Sequence, residues 1–454
     1  MKTEVMIDQK GFYKTVFRLV MPIALQNIIN VGVTSTDVVM LGRVSEEALS
    51  GVSLANQIYF ILSLVFFGLA SGGCVLAAQY WGKKDTRTIE KIMGIALRIS
   101  LTVSAIFAAA AFFAPELMMR IFTNEETVIA EGVTYLKIVS FSYMLSAFTN
   151  VYLSMIRSIE RVVVATVIYA TSLAVNIVLN GIFIFGLFGF PVMGVAGAAT
   201  GTLCSRILEV ILVLYYAKNK NDVVKLRWKD FVSRYAWLEK DFFVYALPVL
   251  LNEFAWGAGM AALSSIVGHL GSASVAAHSV AQVCRQLSMV VAFGTANATA
   301  ILVGKAIGEK REELAKEYAS RLLKLSLYLG ILGGLFLLLI TPVVCHTMKL
   351  SDLSRSYLQF MMFTLSYYVV GQSINCTLVV GVFRGGGDTL FGLFLDVGIM
   401  WSCSILAAAI AAFVLHVPMP WVYLVLCSDE IIKIPICMHR YRSYKWLKNI
   451  TRQA

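Results

Sequence analysis

The chain has 454 residues, of which 58% are hydrophobic and only 14% are charged, and its formal net charge is +11. An ordinary soluble domain has about 25% charged residues, so this composition excludes that class and predicts a polytopic membrane protein. The basic residues are spread over loops instead of being gathered on one soluble face, so no nucleic-acid partner is expected.

Apolar runs of about 20 residues predict an all-α fold with twelve membrane-spanning helices. They lie near residues 16–40, 51–80, 92–114, 131–156, 162–186, 192–217, 241–268, 273–304, 317–341, 355–383, 389–414 and 417–438. One substantial polar connector separates span six from span seven. We therefore predict an N-terminal six-helix lobe over 1–217, a solvated cytoplasmic linker over 218–240, and a C-terminal six-helix lobe over 241–454.

The lysines and arginines indicate the orientation. Most of the 38 fall on the two termini and on the loops of one side of the membrane. The positive-inside rule makes that side cytoplasmic. Both termini are therefore predicted to lie in the cytoplasm, with the chain embedded in a bacterial-type inner membrane.

The two predicted lobes are related by an internal duplication. The matched positions include Pro22 and Pro248, Gly82 and Gly308, and Lys84 and Lys310. Each lobe has an even number of spans, so the lobes run parallel and form two pseudo-symmetric bundles. A duplicated hydrophobic chain of this kind is typical of transporters, and it predicts a site between the lobes instead of a local catalytic motif.

The sequence offers no pattern typical of an enzyme. The 8 cysteines are scattered, the 5 histidines form no pair, and no glycine-rich phosphate loop is present. We expect no enzymatic activity and no cofactor, and we expect transport to be driven by an ion gradient or by a separate ATPase subunit.

Polar side chains form one stripe on span one and another on span five, each spaced by three or four residues. The stripes consist of Gln26, Asn30, Thr34 and Asp37, and of Tyr169, Ser172, Asn176 and Asn180. Facing each other, they would enclose an oxygen-lined site with Asp37 as its only anion, which suits a proton or Na⁺. The alternative is that Asp37 is simply hydrated near the outer end of its span.

The C-terminal lobe has its own acids. Glu253 lies beside Trp256 in span seven, where it could attract an organic cation or titrate; the alternative is a buried glutamate satisfied by a neighbouring helix. Asp396 in span eleven is a further candidate, or a partner of a loop cation. Additional residues that could line a cavity are Tyr143, Gln282 and Asn375.

Other intramembrane charges favour structural roles. Local pairing is expected for Arg206 with Glu209, and for Lys433 with Asp429 and Glu430, since each pair is three or four residues apart. Arg98 and Arg285 have no evident local partner. Pro22 and Pro248 predict bends in spans one and seven, and protonation of Asp37 could be coupled to such a bend.

Several of these features occur together in a known family. Twelve duplicated spans, Pro22 and Asp37 in span one, the small-residue segment 194–199 and the segment 384–389 (RGGGDT) resemble the multidrug and toxic compound extrusion (MATE) family over nearly the whole chain. The resemblance implies a V-shaped pair of bundles that alternates between outward-open and inward-open states. It also implies that Na⁺ or H⁺ enters as organic, often cationic, drugs leave.

The resemblance also implies site residues. The family's span-one acid matches Asp37, its span-five asparagine matches Asn176, and Thr202 matches a further ligand of the same cation site. The span-seven glutamate of one branch matches Glu253. Asn180 stands where some members carry an aspartate, which leaves the coupling ion open between Na⁺ and H⁺.

The sequence therefore predicts a monomeric antiporter that exports amphipathic organic cations by alternating access, coupled to H⁺ or Na⁺. The alternative is a flippase for a lipid-linked saccharide or peptidoglycan precursor. Such a cavity should carry arginine or lysine to meet a diphosphate, and Arg98, Arg206 and Arg285 keep that alternative open.

Overall fold

The computed structural model describes residues 9–348 and 350–452. Within them, the side chains at positions 9, 10, 30, 31, 33–35 and 37–39 are outside the description. All regular secondary structure in the described residues is helical. The all-α prediction is confirmed.

The helices are numbered in chain order. They are α1 (Gln9–Leu41), α2 (Glu46–Gly82), α3 (Thr86–Phe113), α4 (Pro115–Arg120), α5 (Glu126–Ser158), α6 (Val162–Phe185), α7 (Gly194–Asn219), α8 (Trp228–Val232), α9 (Ala236–His269), α10 (Ser272–Gly308), α11 (Glu312–Thr347), α12 (Asp352–Cys376), α13 (Thr389–Ile399), α14 (Ala407–Phe413), α15 (Met419–Leu426) and α16 (Asp429–Arg442). A 3₁₀ turn covers Leu187–Gly189, and π-helical segments Thr377–Phe383 and Met400–Leu406 continue α12 and α13.

Ten helical stretches in the described part of the chain are long and apolar enough to cross a membrane. The two remaining predicted spans correspond to α1, whose side chains are described only in part, and to α15 with α16. These last two helices are separated by a turn at Cys427 and Ser428, so the predicted span 417–438 is not one continuous helix. The fold is that of a polytopic membrane protein.

The chain packs as two units. The N unit consists of Leu25–Ala77 and Asp85–Ala246, and the C unit consists of Met1–Ala24, Ala78–Lys84 and Leu247–Ala454. This grouping follows packing and not the duplication, so its bounds differ from the lobes inferred from the repeat. The division into 1–217, 218–240 and 241–454 stays a prediction.

In the N unit, α5 packs against α3 and α7, and α7 packs against α6. The linker packs on α3 through α8, while all of its lysines and arginines are exposed. Among its charged residues, the expectation of a solvated connector is wrong for Asp230. Asp230 is fully buried and accepts a hydrogen bond from Arg87 Nη2 at 2.6 Å. Arg98, for which the sequence suggested no partner, forms an ion pair with Glu239 and donates to the carbonyl oxygen of Ser233 at 3.0 Å.

In the C unit, α10, α11 and α12 pack against one another. The segment that follows α16 is also packed: Trp446 is fully buried, and a Cβ on Gly386 would lie only 2.2 Å from its carbonyl oxygen. Gln79 donates to the carbonyl oxygen of Lys448 at 3.0 Å and accepts from the amide of Ile450 at 2.9 Å. The C-terminal segment is thus held to the end of α2 by paired hydrogen bonds.

Candidate functional site

The N unit contains a cavity of about 280 Å³ that is lined by three residues of the polar stripe predicted on span five. That the stripe on span one faces it stays a prediction. The cavity is lined by Ile29 of α1, by Tyr59, Ser63 and Phe66 of α2, by Asn150 of α5, by Tyr169, Ser172 and Asn176 of α6, and by Thr202, Ser205, Arg206 and Glu209 of α7. Side-chain oxygens from four helices, α2, α5, α6 and α7, therefore converge on one small space, which can hold a hard cation or water.

The structure brings together Asn176 and Thr202, as the resemblance implied, while Asn180 stands behind them. Asn180 is fully buried, and its Nδ2 donates to Asn176 Oδ1 at 3.3 Å. A Cβ on Gly201 would lie 2.3 Å from Asn180 Oδ1, so only glycine leaves room for this side chain. Asn180 is positioned to orient Asn176 and is not among the residues that line the cavity.

The side chains of Asn30 and Asp37 lie outside the described residues. Helix α1 reaches the cavity at Ile29, one residue before Asn30. The roles of Asn30 and Asp37 stay predictions.

Arg206 and Glu209 form the ion pair that their spacing predicted, with Nη1 and Oε1 2.7 Å apart. The same pair also lines the cavity, which the prediction of a purely structural role for this pair did not anticipate. The signal was present in the sequence, because Thr202, Ser205, Arg206 and Glu209 repeat at helical spacing and so share one face of α7. The α7 wall of the cavity therefore carries one positive and one negative side chain, and these charges cancel.

A second cavity of about 610 Å³ lies in the N unit and shares Tyr59, Ser63, Thr202 and Arg206 with the first. Its other lining residues are Leu41, Leu49, Val52, Ser53, Asn56, Gln57, Phe60, Tyr135, Val139 and Ser142. Tyr143, expected to line a cavity, is instead fully buried, with its ring centroid 5.8 Å from that of Tyr59. Tyr143 packs against the ring of Tyr59 and lines neither of these two cavities.

In the C unit, Glu253 is not the isolated acid that the sequence suggested. Its Oε1 accepts a hydrogen bond from Arg384 Nη2 at 2.7 Å, and the two side chains are only 13% and 5% exposed. Trp256, three residues further along α9, is 39% exposed. The structure therefore favours the alternative in which a neighbouring helix satisfies Glu253, and its contact with substrate stays a prediction.

Arg157 in the N unit makes the matching contact. Arg157 and Arg384 occupy corresponding positions in the duplicated sequence, one residue out of the main register. Arg157 Nη1 donates to Gln26 Oε1 at 3.2 Å, so each arginine reaches the proline-containing helix of its own repeat. The partner is an amide in one repeat and a carboxylate in the other.

Asp396 belongs to a group of buried charges in the C unit. The ammonium group of Lys433 lies 3.3 Å from Asp396, 3.1 Å from Asp429 and 3.4 Å from Glu430. Asp396 therefore pairs with a cation of α16, not with a loop. The local pairs predicted for Lys433 are confirmed, and the additional partner from α13 was missed because it is distant in sequence.

The remaining candidates in the C unit also join polar networks. Asn375 Nδ2 donates to Glu430 Oε2 at 2.8 Å. Gln282 Oε1 accepts from Arg285 Nε at 2.8 Å, and Gln372 Oε1 accepts from Arg285 Nη1 at 3.0 Å. In the described part of the chain, these amides, and not carboxylates, meet the buried guanidinium of Arg285.

The family model MatE matches residues 22–182 and 248–422, one segment in each half of the duplication. A curated protein of Thermotoga maritima, "Probable multidrug resistance protein NorM", is 23% identical over 447 residues, covering 97% of this chain and 95% of its own.

Solved structures show the same fold. One, described as MATE in the bent conformation, has a TM-score of 0.83 at 21% identity and covers 95% of this chain and 96% of its own. A MOP superfamily transporter from Pyrococcus furiosus, whose binding pocket of reverse polarity suggests a different function, has a TM-score of 0.82 at 21% identity. That match covers 95% of each chain.

Proposed function

We propose, from the premise that this chain belongs to the multidrug and toxic compound extrusion (MATE) family of transporters, that it exports amphipathic organic cations in exchange for an inward-moving H⁺ or Na⁺. The family membership predicted from the sequence is confirmed by the match across both repeats. The relative from Thermotoga maritima supports drug efflux as the direction of transport.

The observation that carries the cation coupling is the 280 Å³ cavity of the N unit. Asn176 and Thr202 contribute neutral oxygens to it, and Asn180 holds the Asn176 amide in place. Hard cations are bound by such oxygens together with a carboxylate. We propose that Asp37 supplies the carboxylate, with Asn30 on the same helix face, and that loading and emptying this site drives alternating access.

The substrate would be a small amphipathic organic cation. The larger N-unit cavity combines tyrosine and phenylalanine rings with amide and hydroxyl groups, and its one charged lining residue among those that the structure describes, Arg206, is paired with Glu209. The rings and amides suit a molecule with an apolar body and a positive charge. In the C unit we propose contacts from Trp256, Gln282 and Asn375. Glu253 would act there through its pair with Arg384, not as a free anion.

The chain is a multi-pass membrane protein, and its bacterial relative supports an inner-membrane location. We propose that both termini are cytoplasmic and that the transporter works as a monomer with no cofactor beyond the coupling ion. Its family consists of transporters, which supports the expectation that it is not an enzyme.

The test is ethidium efflux from proteoliposomes under an imposed Na⁺ or pH gradient. Asp37→Asn and Asn176→Ala should each abolish gradient-driven efflux, because both remove a ligand of the cation. Asp352→Asn, which neutralises a fully exposed acid, is the matched control and should transport normally. Equal efflux by Asp37→Asn and the unaltered protein, under both gradients, would refute cation coupling at this site.

Arg285 favours one alternative, a flippase for a lipid-linked diphosphate. Arg285 is 5% exposed and its guanidinium meets amide oxygens in the described residues, whereas Arg98 and Arg206 are paired with Glu239 and Glu209. A flippase should move a diphosphate lipid between leaflets of the same proteoliposomes, and Arg285→Gln should stop it. Ethidium efflux without lipid movement would exclude this second function.

A further inference from the structure

Three carboxylates surround one ammonium group in the C unit. The oxygens of Asp396, Asp429 and Glu430 lie within 3.1–3.4 Å of Lys433 Nζ, and the four side chains are only 5–23% exposed. With every carboxylate ionised, this carboxylate cluster would hold two negative charges in excess. Buried charge that is not compensated is strongly unfavourable, and carboxylates in this situation bind a proton.

The surrounding groups do not supply the missing positive charge. Arg384 is paired with Glu253, and Arg285 is bonded to Gln282 and Gln372. The ionisable groups on neighbouring elements that interact electrostatically with members of the cluster are Tyr368 and Cys376 of α12, Cys427 between α15 and α16, and Cys437 of α16. Buried tyrosine and cysteine are neutral near pH 7, so they leave the excess unchanged.

Two buried amides beside the cluster each lack, among the described residues, a hydrogen-bond donor for their oxygen atom. Asn375 and Asn252 are 3% and 5% exposed, and their nitrogens donate to Glu430 and Asp396. In the described structure the Oδ1 atom of each amide is buried without a hydrogen-bond partner. An unsatisfied buried acceptor is costly. A proton on Glu430 would place a donor beside Asn375, and a proton on Asp396 would place one beside Asn252.

The backbone around the cluster is also unusual. The π-helical segment Thr377–Phe383 begins two residues after Asn375, and Met400–Leu406 begins four residues after Asp396. Such segments are rare and often occur at functional sites. They lie on the two helices that bring Asn375 and Asp396 to α16.

A proton suits this cluster better than a metal ion. The ammonium group of Lys433 already occupies the point on which the three carboxylates converge. A cation such as Mg²⁺ or Ca²⁺ would need those oxygens at about 2.0–2.6 Å and would be repelled by the lysine. A proton neutralises one carboxylate without displacing it.

We infer that the C unit contains a proton-binding site formed by Asp396, Asp429 and Glu430 around Lys433, separate from the cation site proposed in the N unit. For its role in transport the inference rests on the proposed function: release and rebinding of this proton would be a second, pH-dependent step of the cycle. The existence of the proton is independent of transport.

Infrared spectroscopy of the full chain in lipid nanodiscs tests the site directly. The unaltered protein should show the carbonyl stretch of a protonated carboxyl group at neutral pH. Glu430→Gln, Asp429→Asn and Asp396→Asn should each lose it, because each removes one negative charge and with it the need for the proton. Glu317→Gln, which alters an ion pair with Arg321 outside the cluster, should keep the band.

Lys433→Met gives the opposite sign and covers the case in which a neutralised variant fails to fold. Loss of the ammonium increases the negative excess, so the band should persist to higher pH. The site would be overturned if subtracting the spectrum of each neutralised variant from that of the unaltered protein left no protonated-carboxyl band in any of the three differences.

A transport assay separates this inference from the proposed function. Glu430→Gln should shift the pH dependence of ethidium efflux while Asp37→Asn abolishes efflux. Efflux that depends on Asp37 but keeps its pH profile in Glu430→Gln leaves the proposed function intact and removes the transport role of the cluster. An infrared band that behaves as expected, without any gradient-driven efflux, would support the proton-binding site and refute the proposed function.

Discussion

Gly82 and Gly308 occupy equivalent positions of the duplicated sequence, and each faces the backbone of the helix that carries the other. A Cβ on Gly82 would lie 2.0 Å from the carbonyl oxygen of Lys305, and one on Gly308 would lie 1.9 Å from that of Gln79. Both contacts fall within the C unit. Two residues later, Lys84 and Lys310 both have a left-handed backbone, with φ of 63° and 59°, so the duplication has preserved the crossing and the turn after it.

Replacing either glycine should therefore destabilise the protein. Gly82→Ala and Gly308→Ala force the two helix ends apart, and overpacking of this kind costs about 1–3 kcal/mol in the free energy of unfolding. Thermal unfolding in detergent measures the effect. Gly268→Ala, where a Cβ meets nothing within 4 Å, should be neutral; an equal loss in all three variants would contradict the close crossing.

The pair of Glu253 and Arg384 predicts a non-additive result. Glu253→Gln leaves a buried guanidinium without its carboxylate, and breaking a buried pair from one side costs about 3–5 kcal/mol. Adding Arg384→Gln also removes the positive charge of the pair and should recover part of that stability. Unfolding of the two single variants and the double variant measures the coupling.

The same cycle clarifies the role of Glu253 in efflux. If Glu253 acts through the ion pair alone, the double variant should transport better than Glu253→Gln. If the carboxylate contacts substrate, the double variant should recover stability without recovering ethidium efflux.

Gly201 gives access to the cation site without altering a ligand. Gly201→Ala should push Asn180 away and loosen the Asn176 amide, since the new Cβ would lie 2.3 Å from Asn180 Oδ1. We expect weaker coupling, seen as a higher Na⁺ or H⁺ concentration for half-maximal efflux. Asn180→Ala should produce the same change, and the pair together should be no worse than either alone.

The docked linker predicts sensitivity to acid. Burial raises the pKa of the Asp230 carboxyl, but the hydrogen bonds from Arg87 and Tyr235 outweigh it and hold the pKa below its ordinary value. Its contribution to stability is thus present above about pH 4 and is lost as the pH falls through the lowered pKa. Asp230→Asn should be less stable at neutral pH and should lose less stability on acidification.

Melting temperatures of both proteins between pH 3 and pH 7 would measure this difference. It should be about as large as the titration of one carboxyl group produces. Asp352→Asn, which alters an exposed acid, should follow the unaltered protein throughout. Parallel pH profiles for Asp230→Asn and the unaltered protein would show that the linker is not held by this carboxylate.

Local patterns predicted much of the fold and part of the site. Apolar runs located the long helices, and helical spacing placed Asn176 beside Ser172 and Tyr169 in the cavity. Pairs three or four residues apart, such as Arg206 with Glu209, were also predictable, because the geometry of one helix fixes them.

Contacts between distant segments were not predictable in this way. Glu253 meets Arg384 from 131 residues away, and Arg98 meets Glu239 of the linker from 141 residues away. Packing between helices sets these pairs, and nothing in the spacing of one sequence identifies the partner. The duplication gave a hint for Arg384, since Arg157 is its counterpart, but the switch from an amide to a carboxylate partner required the structure.

The hydrogen bonds between Gln79 and the segment after α16 have a practical consequence for anyone labelling this transporter. A fluorescent protein or affinity tag joined within a few residues after Arg452 would lie close to an anchored stretch of backbone, because Lys448 and Ile450 are held by Gln79 and the amide of Arg452 donates to the Tyr80 hydroxyl at 3.2 Å. A long flexible spacer is therefore needed before any such reporter if the C-terminal end of α2 is to stay undisturbed.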